Sequence, residues 1–120
     1  MNAYPGQRPP AGSITIEREG LDGRVLCLRG DVDTAVATQF TSSHGRGRVA
    51  VDAIDAGAVS FICSSGLALL LLCAEASVAA GRRAVLRAAS HQVERALALA
   101  GIGSVFPRPE PDSPAGPRPS

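Results

Sequence analysis

Phe61-Ile62-Cys63-Ser64-Ser65-Gly66-Leu67 is the stretch that decides how this chain folds, because it changes from a strand pattern to a helix pattern. An apolar strand end is followed by two hydroxyl side chains and a glycine, and residues 67–74 are then almost wholly apolar. Serine is a preferred N-cap, since its oxygen accepts a hydrogen bond from N–H groups that the first helical turn leaves unpaired. A buried helix is therefore expected to begin here. Ser64 would lie at its positive end, as a cap or as a site where another protein reads phosphate chemistry.

The central helix is predicted over about residues 65–80, and its own side chains are apolar on nearly all sides of the helix. Such a helix is expected to be covered by a sheet on one side and by another helix on a second side. Gly81 is the expected C′ residue, because glycine adopts a left-handed backbone conformation without steric cost.

Upstream of this helix the sequence predicts a hairpin and a first helix. Residues 13–17 alternate between apolar and polar, as a half-buried strand does. An Asp-Gly pair at residues 22–23 indicates a turn, and residues 25–28 form the returning strand. Asp33 is then predicted to cap a helix over about residues 34–43.

Downstream, two further strands and a last helix are predicted. Residues 48–53 alternate again, and residues 83–88 form another short strand. Ser90 is expected to cap a helix that Gly101 ends, and residues 105–106 are predicted to add a short edge strand.

The element order β-β-α-β-α-β-α predicts a single α/β domain. Its sheet is expected to be mixed and mostly parallel, with about four to five strands and helices packed against it. The folded unit is predicted over residues 13–106. Residues 1–12 and the Pro-rich residues 107–120 are predicted to be disordered tails, because they have almost nothing to bury.

Composition excludes several functional classes. The chain has 120 residues and a formal net charge of +1, so neither a nucleic-acid footprint nor a polybasic membrane patch is present. Its three cysteines form no C-x-x-C pair, which indicates reduced thiols in a cytoplasmic protein and no metal site. The apolar run at residues 67–74 is far shorter than the ~20 residues that cross a bilayer, so a soluble protein is expected.

Taken together, these segments resemble the STAS domain, which is found in the anti-sigma factor antagonists, or anti-anti-sigma factors, and in the cytoplasmic domain of sulphate transporters. The five segments that carry the resemblance, in the order and spacing of the family, are Leu28-Arg29-Gly30-Asp31-Val32-Asp33, Val49-Ala50-Val51-Asp52, Phe61-Ile62-Cys63-Ser64-Ser65-Gly66-Leu67, Gly81-Arg82-Arg83-Ala84-Val85-Leu86 and residues 93–102. The second of these resembles the family's central strand. There is no transporter portion in the sequence, so the chain resembles a free-standing antagonist.

The resemblance implies a bacterial regulator that is not an enzyme and needs no cofactor. Its partner would be an anti-sigma factor that is also a serine kinase of the histidine-kinase-like ATPase fold. The unmodified antagonist would bind that partner and release a sigma factor. Phosphorylation of Ser64 would end the binding until a serine phosphatase resets it.

The resemblance also implies a partner-binding surface around Ser64. The residues expected on this surface are Asp31, Asp33, Cys63, Ser64, Ser65 and Gly66. Cys63 stands where the family has an aspartate, and the first helix with its loop is shorter than is usual in the family.

Other interpretations of the same residues stay open. Ser64 and Ser65 could act only as helix caps, and Gly66 could serve close packing. The domain could be a non-switching STAS scaffold in a stress-sensing complex, or a subunit of a lipid or anion transporter. Cys63 could support redox chemistry, because a thiol at a helix N-terminus can have a lowered pKa. A hydrolase built on Ser64 is disfavoured, since the G-x-S-x-G elbow is absent.

Overall fold

A computed structural model describes residues 12–20, 23–44 and 49–109. Its elements, in chain order, are β1 (Ser13–Glu19), β2 (Gly23–Val32), α1 (Thr34–His44), β3 (Ala53–Ile62), α2 (Ser64–Ala79), β4 (Val85–Ala89), α3 (His91–Ala100) and a 3₁₀ helix (Gly103–Val105). The four strands form one sheet in the order β1-β2-β3-β4. The β1–β2 pair is antiparallel, and the β2–β3 and β3–β4 pairs are parallel. The predicted mixed, mostly parallel α/β domain is confirmed.

The main core lies on one face of the sheet. Leu26 and Leu28 alternate along β2 and contribute to one continuous cluster, as side chains of a strand do when one face is buried. All three helices supply residues to that cluster, among them Phe40 from α1, Leu70 from α2 and Leu97 from α3. The helices therefore pack on the same side of the sheet.

The opposite face of the sheet carries a small cluster beneath charged side chains. Val25, Cys27 and Ala53 are buried there, on the side of the sheet away from the helices of the described residues. Arg87 of β4 donates a hydrogen bond of 2.7 Å to Glu19 of β1, so this ion pair joins the two edge strands. Glu19 is also the main reason why the pKa of Arg87 is raised.

Most helix ends confirm the caps that the sequence predicts. The Asp33 carboxylate accepts a hydrogen bond of 3.0 Å from Val36 N–H at the start of α1. Ser90 accepts one from Val93 N–H at the start of α3. Gly101 ends α3 with a φ of 72°, the left-handed conformation that favours glycine.

The strand predicted over residues 48–53 is wrong, because regular pairing begins only at Ala53 and continues to Ile62. The alternation reflects burial of Val49 and Val51 in the core rather than a strand. Val51 N–H does not donate to a neighbouring strand but to the hydroxyl of Ser77 on α2, at 2.9 Å. Ser77 is fully buried and in turn donates to the Cys73 carbonyl at 2.6 Å.

The edge strand predicted at residues 105–106 is also wrong, since the 3₁₀ helix occupies this part of the chain. Phe106 is nevertheless buried in the core, and the Pro107 carbonyl accepts a hydrogen bond of 2.7 Å from Leu86 N–H on β4. Arg108 forms two hydrogen bonds with Glu94, at 2.7 and 3.0 Å. Contacts of the fold thus continue past residue 106, whereas residues 1–11 and 110–120, where most of the two predicted tails lie, are outside the described residues.

Candidate functional site

The candidate site lies where two neighbouring parallel strands end and two helices begin. Val32 and Ile62, the last residues of β2 and β3, are paired in the sheet. Cys63 N–H donates to the Val32 carbonyl at 3.0 Å, which holds the two strand ends together. Because α1 and α2 begin directly after these strands, their positive N-terminal ends lie at the same edge of the sheet.

Ser64 is the first helical residue of α2, and its side chain is exposed. The N-cap position belongs to Cys63, so the prediction that Ser64 or Ser65 caps the helix is wrong. The helix begins one residue earlier than predicted because Leu67 N–H already donates to the Cys63 carbonyl, at 3.0 Å. Neither serine hydroxyl is therefore needed to close the first turn, and both serines face outwards.

The Cys63 side chain is half-buried at the start of α2, and its Sγ lies 3.8 Å from the Thr34 hydroxyl. Burial raises the pKa of this thiol. Hydrogen bonding from Gly66 N–H, from the Thr34 hydroxyl and from Ser65 acts in the opposite direction, and the net result is a lowered pKa. The thiol thus lies where a capping carboxylate would lie, and the positive end of α2 favours its thiolate form.

Asp31 and Asp33 are exposed at the end of β2, at the same edge as Ser64. The Asp31 carboxylate accepts a hydrogen bond of 2.7 Å from the Ser60 hydroxyl on β3. Asp33 serves as the α1 cap. Both carboxylates are therefore held in place by the fold while they stay in contact with solvent.

Gly66 is buried, unlike the other residues predicted for the site. A Cβ atom at this position would lie 2.8 Å from Ile62 Cγ1 and 3.0 Å from Val32 Cγ1. Glycine therefore allows α2 to pack closely against the ends of β2 and β3. The interpretation that Gly66 serves close packing is confirmed, and its contribution to the site is to position Ser64.

Sequence reasoning missed the apolar and polar neighbours of these residues. Phe61 on β3 is 49% exposed and is paired in the sheet with Asp31. Phe61 was expected to be buried because it belongs to an apolar strand end. Its alternation with Ile62 was the available signal, since neighbouring residues of a strand face opposite sides. A shallow groove of about 400 Å³ lies between α1 and α2, and its lining residues are Ala37, Thr38, Thr41, Ser42 and Ser65.

Residues 12–20, 23–44 and 49–109 contain no group of His, Cys, Asp and Glu side chains placed to hold a metal ion. Among the helices in those same ranges, none is long and apolar enough to span a bilayer.

Similarity to known proteins is found among solved structures. No protein-family model matches the chain, and no curated protein matches it. Among solved structures, the chain is similar to the anti-sigma factor antagonist SpoIIAA in its unphosphorylated form. The two chains are 23% identical with a TM-score of 0.63, over 83% of this chain and 90% of SpoIIAA. The likeness confirms the fold that the sequence motifs indicated: the chain has the STAS fold, as the anti-sigma factor antagonist SpoIIAA does.

Proposed function

We propose that this protein is a cytoplasmic bacterial anti-sigma factor antagonist that is switched by phosphorylation of Ser64. In this proposal the unmodified protein binds a serine-kinase anti-sigma factor and releases a sigma factor. The phosphorylated protein does not bind, and a serine phosphatase restores it. The observation that carries the proposal is the exposed Ser64 at the start of α2, in a fold similar to that of an antagonist solved in its unphosphorylated form.

The start of α2 tolerates a phosphate. The N–H groups of Ser64, Ser65 and Gly66 are the first-turn donors that an α-helix cannot pair within itself. A phosphoserine brings roughly −1.5 to −2 charges and three acceptor oxygens to this positive end. The interaction is favourable by about 0.3–1 kcal/mol, so the modified domain is expected to stay folded.

The same phosphate is expected to oppose binding. A partner packed over Ser64 would have to remove water from a dianion, next to the exposed carboxylates of Asp31 and Asp33. A loss of about 2–3 kcal/mol weakens binding about 30- to 150-fold.

A kinase and binding assay tests the proposal. The wild-type protein is incubated with ATP and a candidate anti-sigma factor of the serine-kinase type encoded in the same genome, and phosphate is located by mass spectrometry. One phosphate on Ser64 is expected; Ser64→Ala should accept none, and the matched control Ser65→Ala should still accept one.

Binding is then measured by isothermal titration calorimetry with Ser64→Asp and with Ser65→Asp as its control. Ser64→Asp is expected to bind at least 30-fold more weakly, in line with the loss of about 2–3 kcal/mol above, while circular dichroism stays native. Binding with no phosphate transfer and no effect of Ser64→Asp would favour the non-switching scaffold instead. Phosphate on Ser65 in place of Ser64 would overturn the assignment of the site.

A further inference from the structure

We propose that the edge of the sheet opposite Ser64 is a second interaction surface, which binds an extended acidic segment of a partner protein. This surface, called here the basic edge, consists of Arg18 at the end of β1, Arg24 at the start of β2 and Arg83 just before β4. All three side chains are exposed. At about 3.3 Å per strand residue, Arg24 lies about 26 Å from Val32, the end of β2 beside Ser64. The basic edge is therefore separate from the site of the function proposed above.

Two of these arginines are placed where they repel each other. Arg18 and Arg24 are directly opposite in the antiparallel β1–β2 pair. Side chains in such positions have Cβ atoms about 4.5–5.5 Å apart, and like charges there destabilise a sheet. Neither guanidinium forms an ion pair with a described residue. The fold thus holds two positive charges together without a described counterion, and an external anion would relieve their repulsion.

The backbone of Asp52 connects the third arginine to this pair. Asp52 N–H donates to the Arg24 carbonyl at 2.9 Å, and the Asp52 carbonyl accepts from Val85 N–H at 3.2 Å. Arg83 precedes Val85 by two residues, so the three arginines follow one another across the sheet from β1 to β4. Because neighbouring strands are about 4.8 Å apart, the row spans roughly 15 Å. Arginines that are far apart in sequence are therefore brought to one edge.

The described acidic residues at this edge do not neutralise the three arginines, because each acidic residue has another partner. The Asp52 carboxylate accepts hydrogen bonds from Arg82 at 2.7 Å and from Arg24 N–H at 2.9 Å. The Glu19 carboxylate accepts one from Arg87 at 2.7 Å. Of the eight arginines in the described ranges, four form ion pairs, and three of the other four belong to the basic edge. The unpaired positive charge is thus concentrated here.

The shape and charge of the basic edge indicate what it binds. Guanidinium groups pair with carboxylates through two parallel hydrogen bonds, so a run of Asp or Glu side chains is a chemical match. An extended chain advances about 3.3 Å per residue, and an acidic segment of about five residues therefore reaches along the row. Nucleic acid is a poorer match, because the Glu19 and Asp52 carboxylates lie beside the arginines and the net charge of the chain is only +1. A small free anion would meet only exposed arginines, whose attraction is screened by salt.

Isothermal titration calorimetry with an octaglutamate peptide tests the basic edge, and an octaglutamine peptide is the neutral control. Octaglutamate binding is expected to weaken as salt is added and to shift the backbone NMR signals of residues 18, 24 and 83. The double variant Arg18→Gln, Arg24→Gln is expected to bind the peptide about fivefold more weakly. Arg95→Gln is the matched control, because Arg95 is also exposed and forms no ion pair with a described residue. It should bind as the wild type does, and so should Ser64→Asp.

Thermal melting gives a second measurement that an arginine with a purely structural role would not affect in the same way. Because Arg18 and Arg24 repel each other, Arg18→Gln should raise the melting temperature by about 1–5 °C while it weakens peptide binding. Arg95→Gln should leave the melting temperature unchanged.

Four outcomes would overturn the acidic-partner proposal. The first is no binding of octaglutamate at low salt, or a loss with Arg95→Gln as large as that of the double variant. The second is tighter binding of a short DNA duplex or of phosphatidylserine vesicles, which would assign the edge to nucleic acid or to a membrane. The third is a wild-type oligomer, seen by light scattering, that the double variant converts to a monomer, which would show that a second copy binds there. The fourth is a lower melting temperature for Arg18→Gln, which would show that the arginines have a counterion. None of these measurements involves phosphorylation of Ser64 or an anti-sigma factor, so the two proposals can fail separately.

Discussion

Replacement of Gly66 by alanine tests how closely α2 is seated on the sheet. The added Cβ would lie 2.8 Å from Ile62 Cγ1, 3.0 Å from Val32 Cγ1 and 3.3 Å from Ile62 Cδ1. The neighbours cannot yield freely, since Val32 is fully buried and Ile62 is 7% exposed. Either α2 must move away from the strands or these side chains must leave their preferred rotamers.

Two opposing effects set the magnitude. Alanine is favoured over glycine by up to about 1 kcal/mol within a helix. Overpacking of a filled core costs typically about 1–3 kcal/mol. We therefore expect Gly66→Ala to lower the free energy of unfolding by about 1–2 kcal/mol. In a domain of this size each kcal/mol corresponds to a fall in melting temperature of about 4–8 °C.

Urea denaturation followed by circular dichroism measures this change. Ala68→Gly on the exposed side of α2 is the control, because it removes only helix propensity and should cost at most about 1 kcal/mol. In the Ile62→Ala background the contacts of 2.8 and 3.3 Å disappear and only the contact with Val32 Cγ1 remains, so the cost of Gly66→Ala should become smaller. A Gly66→Ala protein as stable as the wild type, with no coupling to Ile62, would refute the close-packing argument.

Two further predictions concern buried and half-buried polar groups. Ser77→Ala leaves Val51 N–H buried without its acceptor and should lower the free energy of unfolding, measured by urea denaturation, by about 1–3 kcal/mol. The control Ser43→Ala changes an exposed serine and should alter that free energy by under about 0.5 kcal/mol. Equal effects of the two substitutions would contradict the role of the buried hydroxyl. The pKa of the Cys63 thiol is lowered and that of Cys73 is raised by burial to about 11. Because the thiolate is the reactive form, iodoacetamide should label Cys63 first, and the labelling rate should rise at a lower pH than it does for free cysteine. A labelling rate that rises at the same pH as for free cysteine, or at a higher pH, would contradict this.

Local signals were sufficient to predict the order of the elements. The Asp33 and Ser90 caps each depend on residues within three positions in sequence, and both are present in the structure. The left-handed Gly101 likewise ends α3 as expected, with Ile102 N–H donating to the Leu97 carbonyl at 3.0 Å. Such features are encoded where they occur, so the sequence alone carries them.

Features that depend on distant partners could not be predicted. The strand over residues 53–62 contains three alanines and a glycine, which have low strand propensity, and pairing with β2 and β4 fixes its position. Val51 alternates like a strand residue, but its partner is Ser77, 26 residues later.

The same limit applied at the candidate site. The sequence indicated the edge that carries Ser64, and it did not indicate which of the neighbouring side chains would face solvent. Phe61 and Ile62 alternate, so they face opposite sides of β3, and Ile62 lies in the core with the three helices. The local pattern shows this alternation but not which side of the sheet the helices cover.

The hydrogen bond between Leu86 N–H and the Pro107 carbonyl has a consequence for how copies of this protein meet at high concentration. An outer strand with free N–H and C=O groups is a template on which another chain can add a strand, and proteins protect such edges. Here the covering residue is a proline, which has no N–H to extend a ladder further. The segment that follows the last helix thus occupies a backbone donor of β4, and we expect it to hinder the addition of another chain at this edge, separately from the role proposed for Ser64.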